Sequence, residues 1–462
     1  MFESLDGLLE AASKYLRIAD DGISGFKRNE FVNQFLDDLT YNAVLNPSRD
    51  VREATRWLIW YAARECGAWA ASINNFYFAR GRGEFSGLTV PAVNLRGLAY
   101  DAAQAMFRVI NKREVGPFIF EIARSEIGYT GQRPAEYASS VLAAAMRSGY
   151  EGPVCLQGDH FQFNAKAFGQ IPEAEINNIK ALALEAIEAG LYNIDIDAST
   201  LVDLDYATIA EQQKLNCEMT ALITAFVRWH EPRGVTVSLG GEIGEVGGKN
   251  STVEEMEVFM EGYLDDLGKL GPGMVGTSKI SIQTGTAHGG VVLPDGSIAE
   301  VKIDFDTLER ISEAAIAKFG MAGAVQHGAS TLPDEAFDHF PATKTCEIHL
   351  ATGFQNIIYD HDAFPAGLLA EIKGWIEGNL AGERKEGQTD EQFLYKTRKK
   401  AFGPFKQQMW NLPAEVKAPI MSDLGDKFEL IFGKLNVFGS RDTSSRYFEE
   451  AFVPKPKPLC LR

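Results

Sequence analysis

The sequence predicts a parallel (β/α)8 barrel, the TIM-barrel class, with helical N-terminal and C-terminal extensions. Three observations point there. From about residue 88, short apolar runs alternate with longer amphipathic stretches. The apolar runs number eight, and polar side chains collect at their C-terminal ends. The runs are LTVPAVNL (88–95), PFIFEIA (117–123), PVCLQGD (153–159) and LYNIDID (191–197), then VTVSLGGEI (235–243), SKISIQTG (278–285), MAGAVQH (321–327) and CEIHLATG (346–353). Most are flanked by Gly or Pro, as strands buried on both faces are.

Between the runs lie YDAAQAMFRVINK (100–112), PAEYASSVLAAAMRSG (134–149) and EAEINNIKALALEAIEAG (173–190). Further on are YATIAEQQKLNCEMTALITAFVRWH (206–230), TVEEMEVFMEGYLDDLGKL (252–270) and DTLERISEAAIAKFG (306–320). Each places apolar residues at three- and four-residue steps and reads as a helix. An eighth helix is expected near 364–379. An open doubly wound sheet is the rival, and the count of eight favours closure.

Residues 1–87 form the N-terminal extension, 88–380 the barrel and 381–462 the C-terminal extension. The N-terminal segment is expected to be helical. Its aromatic stretch, RWLIWYAARECGAWAASINNFYFARGRGEF, is expected to pack in a core or at a subunit interface. The C-terminal segment opens as a charged linker and ends in the proline-punctuated VPKPKPLC.

The 462-residue chain is 45% hydrophobic and 23% charged, ordinary for a globular protein. A formal net charge of -18 argues against nucleic acid as partner, since phosphate backbones need a basic face. It leaves room for a small anion in a locally positive pocket. No run of about 18 apolar residues marks a membrane span. The N-terminus lacks a basic segment before an apolar one and does not read as a signal peptide. Five scattered cysteines without CxxC spacing fit reduced thiols and a cytoplasmic location.

Only seven histidines occur, and three of them end or closely follow strand-like runs: His160, His288 and His327. On parallel strands of one barrel these ends share a mouth, where three neutral imidazoles make a metal site with an open position. Asp159 beside His160 suits a general base, or alternatively a helix cap. Strand alternation puts Asp195 and Asp197 on one face, and with Glu242 they line the same mouth as metal ligands or as carboxylates orienting the histidines. Gly289 and Gly328 follow histidines, where glycine permits close ligand approach. The loops GAST (328–331) and ATGF (351–354) occupy the anion-binding position of such barrels. GEVGGKNS (244–251) is a mobile lid or a solvent loop.

These residues resemble the class II, metal-dependent fructose-bisphosphate aldolase family across about 88–360. The resemblance rests on GDH (158–160), IDAST (196–200), GEIGEVGG (241–248), TAHGG (286–290), KIDFDTL (302–308) and QHGAS (326–330). It implies that Asp159 is the base acting on the C4 hydroxyl. It implies that His160, His288 and His327 hold a divalent ion, Zn2+ by default, with Glu242 and Asp197 matching carboxylates of a second metal position. Gly289, Gly328, Ala329, Ser330, His349, Ala351 and Thr352 fall on the substrate-contacting segments.

The chain departs from the family pattern in four places. Lys249, Asn250 and Ser251 stand where acids follow the lid glycines. HGAST replaces HGGSG. His349–Leu350–Ala351–Thr352 replaces the strand-eight NxDT. GVVLPDG replaces the lysine after the second histidine. The implied reaction is cleavage or formation of the C3–C4 bond of a ketose phosphate. The default substrate is fructose 1,6-bisphosphate, yielding dihydroxyacetone phosphate and glyceraldehyde 3-phosphate in glycolysis. Another anionic ketose, including a tagatose-type one, an epimerase reaction at the same site, or a non-catalytic sugar-binding subunit are the alternatives. A homo-oligomer, dimer or tetramer, is the expected assembly.

Overall fold

The structure is a computed structural model that describes residues 1–244, 249–285, 293 and 303–462. Eight parallel strands close on themselves: β1 (Val90–Asn94), β2 (Ile119–Ala123), β3 (Gly152–Gln162), β4 (Asn193–Asp197), β5 (Ser238–Glu242), β6 (Lys279–Ile282), β7 (Ala324–Gln326) and β8 (Glu347–Leu350). Closure is direct, with β8 pairing β1 from Glu347↔Val90 to Leu350↔Val93. Every residue of β1, β2, β4 and β5 is buried. That explains the near-continuous apolar runs, since helices cover the outer face and side chains fill the inner one.

The connecting helices match the periodicity. Ala99–Arg113, Pro134–Arg147, Pro172–Ala189, Ile209–His230, Val253–Leu270 and Phe305–Phe319 follow β1 to β6 in turn. Their ends are chemically marked. Proline opens two of them, and Thr208 with Glu211 and Thr252 with Glu255 form capping boxes. Ala366–Asn379 is the expected eighth helix, preceded by Thr352–Asp360.

The N-terminal extension is not all helical. Its strand Ala68–Ala71 pairs in parallel with the first residues of β3, Gly152 to Cys155, outside the closed barrel. β3 is therefore long, because it serves this extra strand at its start and β4 at its end. The next helix, Asn74–Gly81, closes the barrel floor. Its buried Arg80 donates to the carbonyls of Ala322 (2.9 Å), Lys344 (2.9 Å), Thr345 (3.2 Å) and Leu88, which lie at or before the starts of β7, β8 and β1.

The aromatic stretch packs within the chain. Trp57 Nε1 and the Tyr61 hydroxyl donate to the Lys455 carbonyl, and Trp60 Nε1 donates to that of Val453. The Lys455 ammonium sits 3.7 Å over the Trp60 ring. Among the described residues no helix is long and apolar enough to cross a membrane.

The C-terminal extension returns to the barrel mouth. Its turn Arg398–Phe402 presses Phe402 against Gly97, and Gly403 against the Tyr129 carbonyl, so closely that a Cβ at either glycine would collide. Gly403→Ala is therefore expected to cost about 1–3 kcal/mol through overpacking. Gly382→Ala, which meets nothing within 4 Å, should cost far less. Thermal unfolding of the two variants checks this, and equal melting temperatures would contradict the tight docking.

Candidate active site

The mouth is organised by an irregularity in β3. Its pairing with β4 shifts register between Gly158 and Phe161, and His160 has a φ of 41°. This is a β-bulge in the left-handed region, which histidine enters more readily than most side chains. In a regular strand Asp159 and His160 would face opposite sides. The bulge, rather than a turn at the strand's end, sends both into one cavity of about 660 Å³.

His160 Nδ1 lies 3.0 Å from Glu242 Oε2 and 3.1 Å from Asp197 Oδ2. Its Nε2 meets His327 Nδ1, while His327 Nε2 is 3.0 Å from Ser281 Oγ. Burial lowers the pKa of His160, but Asp159, Glu242 and hydrogen bonds to Asp197 and Glu242 outweigh it and raise it well above the usual value. Burial, and then the Asp197 charge, push Glu242 up to about 7.

Donor atoms of His160, Glu242 and His327 fall within 4.8 Å of one another. Two imidazole nitrogens facing each other beside a carboxylate fit a divalent cation such as Zn2+. Asp197 stands behind this group. Its Oδ1 accepts from Ser199 N (3.1 Å) and Oγ (2.7 Å), and its Oδ2 accepts from Gln162 Nε2 (2.6 Å). It orients His160 and does not line the cavity.

Asp195 departs from its expected place. It shares the inner face with Asp197 but sits one tier lower, paired with Lys279 Nζ at 2.9 Å, and does not reach the mouth. Ala329 is fully buried and likewise does not line the cavity, whereas Gly328, Ser330, His349, Ala351 and Thr352 do. His288 and Gly289 lie outside the described residues.

Asp159 is buried. Asn94 Nδ2 donates to its Oδ2 (3.2 Å), and His349 Nδ1 lies 3.1 Å from its Oδ1. Burial alone would raise its pKa, yet His160, His349 and His327 hold it well below the carboxylate range. It is an ionised carboxylate at the cavity wall.

The segments after β7 and β8 are less open than expected. Gly353 N donates to Ser330 Oγ (3.1 Å), so that amide is committed within the protein. Positive charge comes from elsewhere. Arg96, after β1, binds Glu126 (2.6 Å), Thr352 Oγ1 (3.1 Å) and Gln355 Oε1 (2.8 Å). Lys399, from the C-terminal turn, lines the same cavity 5.7 Å from the Tyr129 ring centre. Among the described residues its ammonium has no ion pair or hydrogen bond. Burial and then Arg96 lower its pKa.

Sequence reading did not single out Asn94, Arg96, Glu126 or Lys399. It also missed a fully buried tier formed by Glu121, Gln157, Lys279 and Glu347. The charged residues within apolar strands were the available signal.

A family model for class II fructose-bisphosphate aldolases matches residues 83–409. The chain belongs to that family. No curated protein matches it. Among solved structures, a probable tagatose 6 phosphate kinase from Sinorhizobium meliloti is 17% identical, with a TM-score of 0.52, over 81% of this chain and 96% of that one. A fructuronate-tagaturonate epimerase from Cohnella laeviribosi is 12% identical, with a TM-score of 0.52, over 76% and 82%. A fructose-bisphosphate aldolase from Campylobacter jejuni is 17% identical, with a TM-score of 0.47, over 80% and 96%. At these identities the first two likenesses show the fold alone.

Partners behind metal-binding histidines usually contribute about 10–100-fold in affinity. Asp197→Ala is expected to weaken divalent-ion binding by that order, read by competition with a chromogenic chelator. Unchanged affinity would place the ion away from His160.

Proposed function

We propose that this chain is a metal-dependent aldolase that cleaves or forms the C3–C4 bond of an anionic ketose, with fructose 1,6-bisphosphate as the default substrate. The observation that carries the reading is the β3 bulge, which brings Asp159 into the same cavity as the donor group of His160, Glu242 and His327. His160, His327 and Glu242, joined by His288, would hold the divalent ion, Zn2+ by default. The ion supplies Lewis-acid stabilisation of charge on a carbonyl oxygen.

The remaining chemistry belongs to the side chains. Asp159, kept ionised by the imidazoles around it, accepts the proton of the C4 hydroxyl as the C3–C4 bond breaks. In the synthetic direction the same carboxyl returns it. Asn94 and His349 fix the carboxylate, so little reorganisation accompanies the transfer. Lys399, whose ammonium makes no ion pair or hydrogen bond among the described residues and lies near the Tyr129 ring at the cavity wall, receives the anionic end of the substrate, with Arg96 and Thr352 beside it.

One observation favours an epimerase as the second reading. Lys249 pairs with Glu255 (2.6 Å), Asn250 with Asp304 (3.0 Å), and Ser251 with the backbone of Gln283. None of the three lines the cavity, so this stretch offers no proton donor there. Product analysis separates the readings. Release of two trioses supports the aldolase, while an isomeric ketose without triose supports the epimerase.

Asp159→Ala should retain fold and metal but lose at least about a hundredfold in kcat, the lower range for a general base. Near-normal turnover would remove Asp159 from the mechanism. Chelation should abolish activity, and zinc, cobalt or manganese should restore it. Failure to turn over any ketose phosphate after metal restoration would sink the lyase reading. Lys399→Met should raise KM for anionic ketoses about tenfold or more, as loss of a charge-assisted contact does, with kcat little changed. An unchanged KM would place the anionic end elsewhere.

A further inference from the structure

Below the mouth lies a tier of polar groups that no step above uses. Glu347, the first residue of β8, is fully buried. Its Oε1 accepts from Lys279 Nζ (2.5 Å), His349 Nε2 (2.6 Å) and Gln157 Nε2 (2.9 Å), and its Oε2 accepts from the Tyr77 hydroxyl. The donors come from β6, β8, β3 and the floor helix, so the carboxylate is fixed from four directions. On its other side, His349 Nδ1 lies 3.1 Å from Asp159 Oδ1 and 3.2 Å from Glu121 Oε2. One imidazole thus joins the buried tier to the carboxylate at the cavity wall.

Neutralising Lys279 does not require Glu347, because Asp195 already lies 2.9 Å from the same ammonium. What Glu347 alone supplies is a close partner for His349 Nε2, since the next carboxylate oxygen, on Asp195, is 3.6 Å away. A carboxylate held at one ring nitrogen fixes the orientation of the ring and so where the other nitrogen lies. We propose that Glu347, clamped by Lys279 and by Tyr77 of the N-terminal extension, is a positioning residue that fixes the His349 ring and through it aims the Asp159 carboxylate. This rests on the reading of Asp159 as the base. It also gives the floor helix a task in the reaction, through a hydroxyl that ends the chain of contacts.

The test uses the full-length, metal-loaded protein. Glu347→Gln keeps the shape and changes the acceptor, and Tyr77→Phe removes one hydroxyl with little change in packing. Glu347→Gln is expected to lower kcat about tenfold or more, the scale of losses behind a ligating shell. Tyr77→Phe should lower it by less. KM and bound metal should stay near wild type in both. Wild-type kcat in both variants would overturn the proposal, as would a fall fully accounted for by a smaller folded fraction.

A second readout needs no turnover. The imidazole 15N signals of His349 should move in Glu347→Gln, and unmoved signals would overturn the role whatever the activity. If wild type cleaves no ketose while those signals do respond, the failure belongs to the lyase reading and the hold on the ring stands.

Discussion

The site depends on a single backbone irregularity. Between Gly158 and Phe161 the third barrel strand gains a residue relative to its neighbour, and His160 enters the left-handed region. A non-glycine residue held there costs on the order of 1–3 kcal/mol. Surrounding contacts must offset that cost. Asp197 and Glu242 hold one nitrogen of the ring, and Gly158 gives room to the Phe161 ring, which a Cβ there would strike. Without the bulge, Asp159 and His160 would face opposite sides of the sheet, and the Asp159 carboxylate and the donor group would not share a cavity.

A second constraint is electrostatic. Asp159, Glu121, Asp195 and Glu347 are all buried inside one barrel, and isolated carboxylates cannot stay ionised there at tolerable cost. Two cationic side chains resolve this. Lys279 lies between Asp195 and Glu347, and together with His349 it draws Glu347 down to about 2 against the effect of burial. His349 bridges Glu347 and Asp159, with its own pKa raised above what burial alone would set by Glu121 and Asp159. Glu121 goes the other way, raised mainly by burial, so the tier contains carboxyls of different proton affinity side by side. Buried pairs of this kind add little net stability, because the cost of desolvation offsets their attraction.

Much of the fold was legible because barrel strands buried on both faces read as short apolar runs, whereas their helices read as longer amphipathic stretches. All eight apolar runs became strands, and the six amphipathic stretches became helices within a few residues. The extra strand at Ala68–Ala71 was hidden inside an aromatic-rich stretch whose pattern suits helix and strand alike. At the site, DH and QHG stood out because histidine is rare and glycine marks close approach. Asp195 was misplaced because alternation gives the face of a strand but not the height within the barrel. Lys279 and Glu347 left a trace as charges within apolar strands, yet their pairing is a matter of register between distant segments. Lys399 left none, since nothing local says that a turn in a charged linker docks beside Gly97 and Tyr129.

The docking of that turn has a consequence for how the molecule is made. Translation completes the eighth strand, and with it the imidazoles and carboxylates of the mouth, before Lys399 has been polymerised. Of the cationic side chains at the cavity, Arg96 is therefore made just after the first strand, whereas Lys399 follows only after the last. A nascent chain paused at that point would carry the mouth without the Lys399 ammonium, which arrives only when the turn Arg398–Phe402 docks.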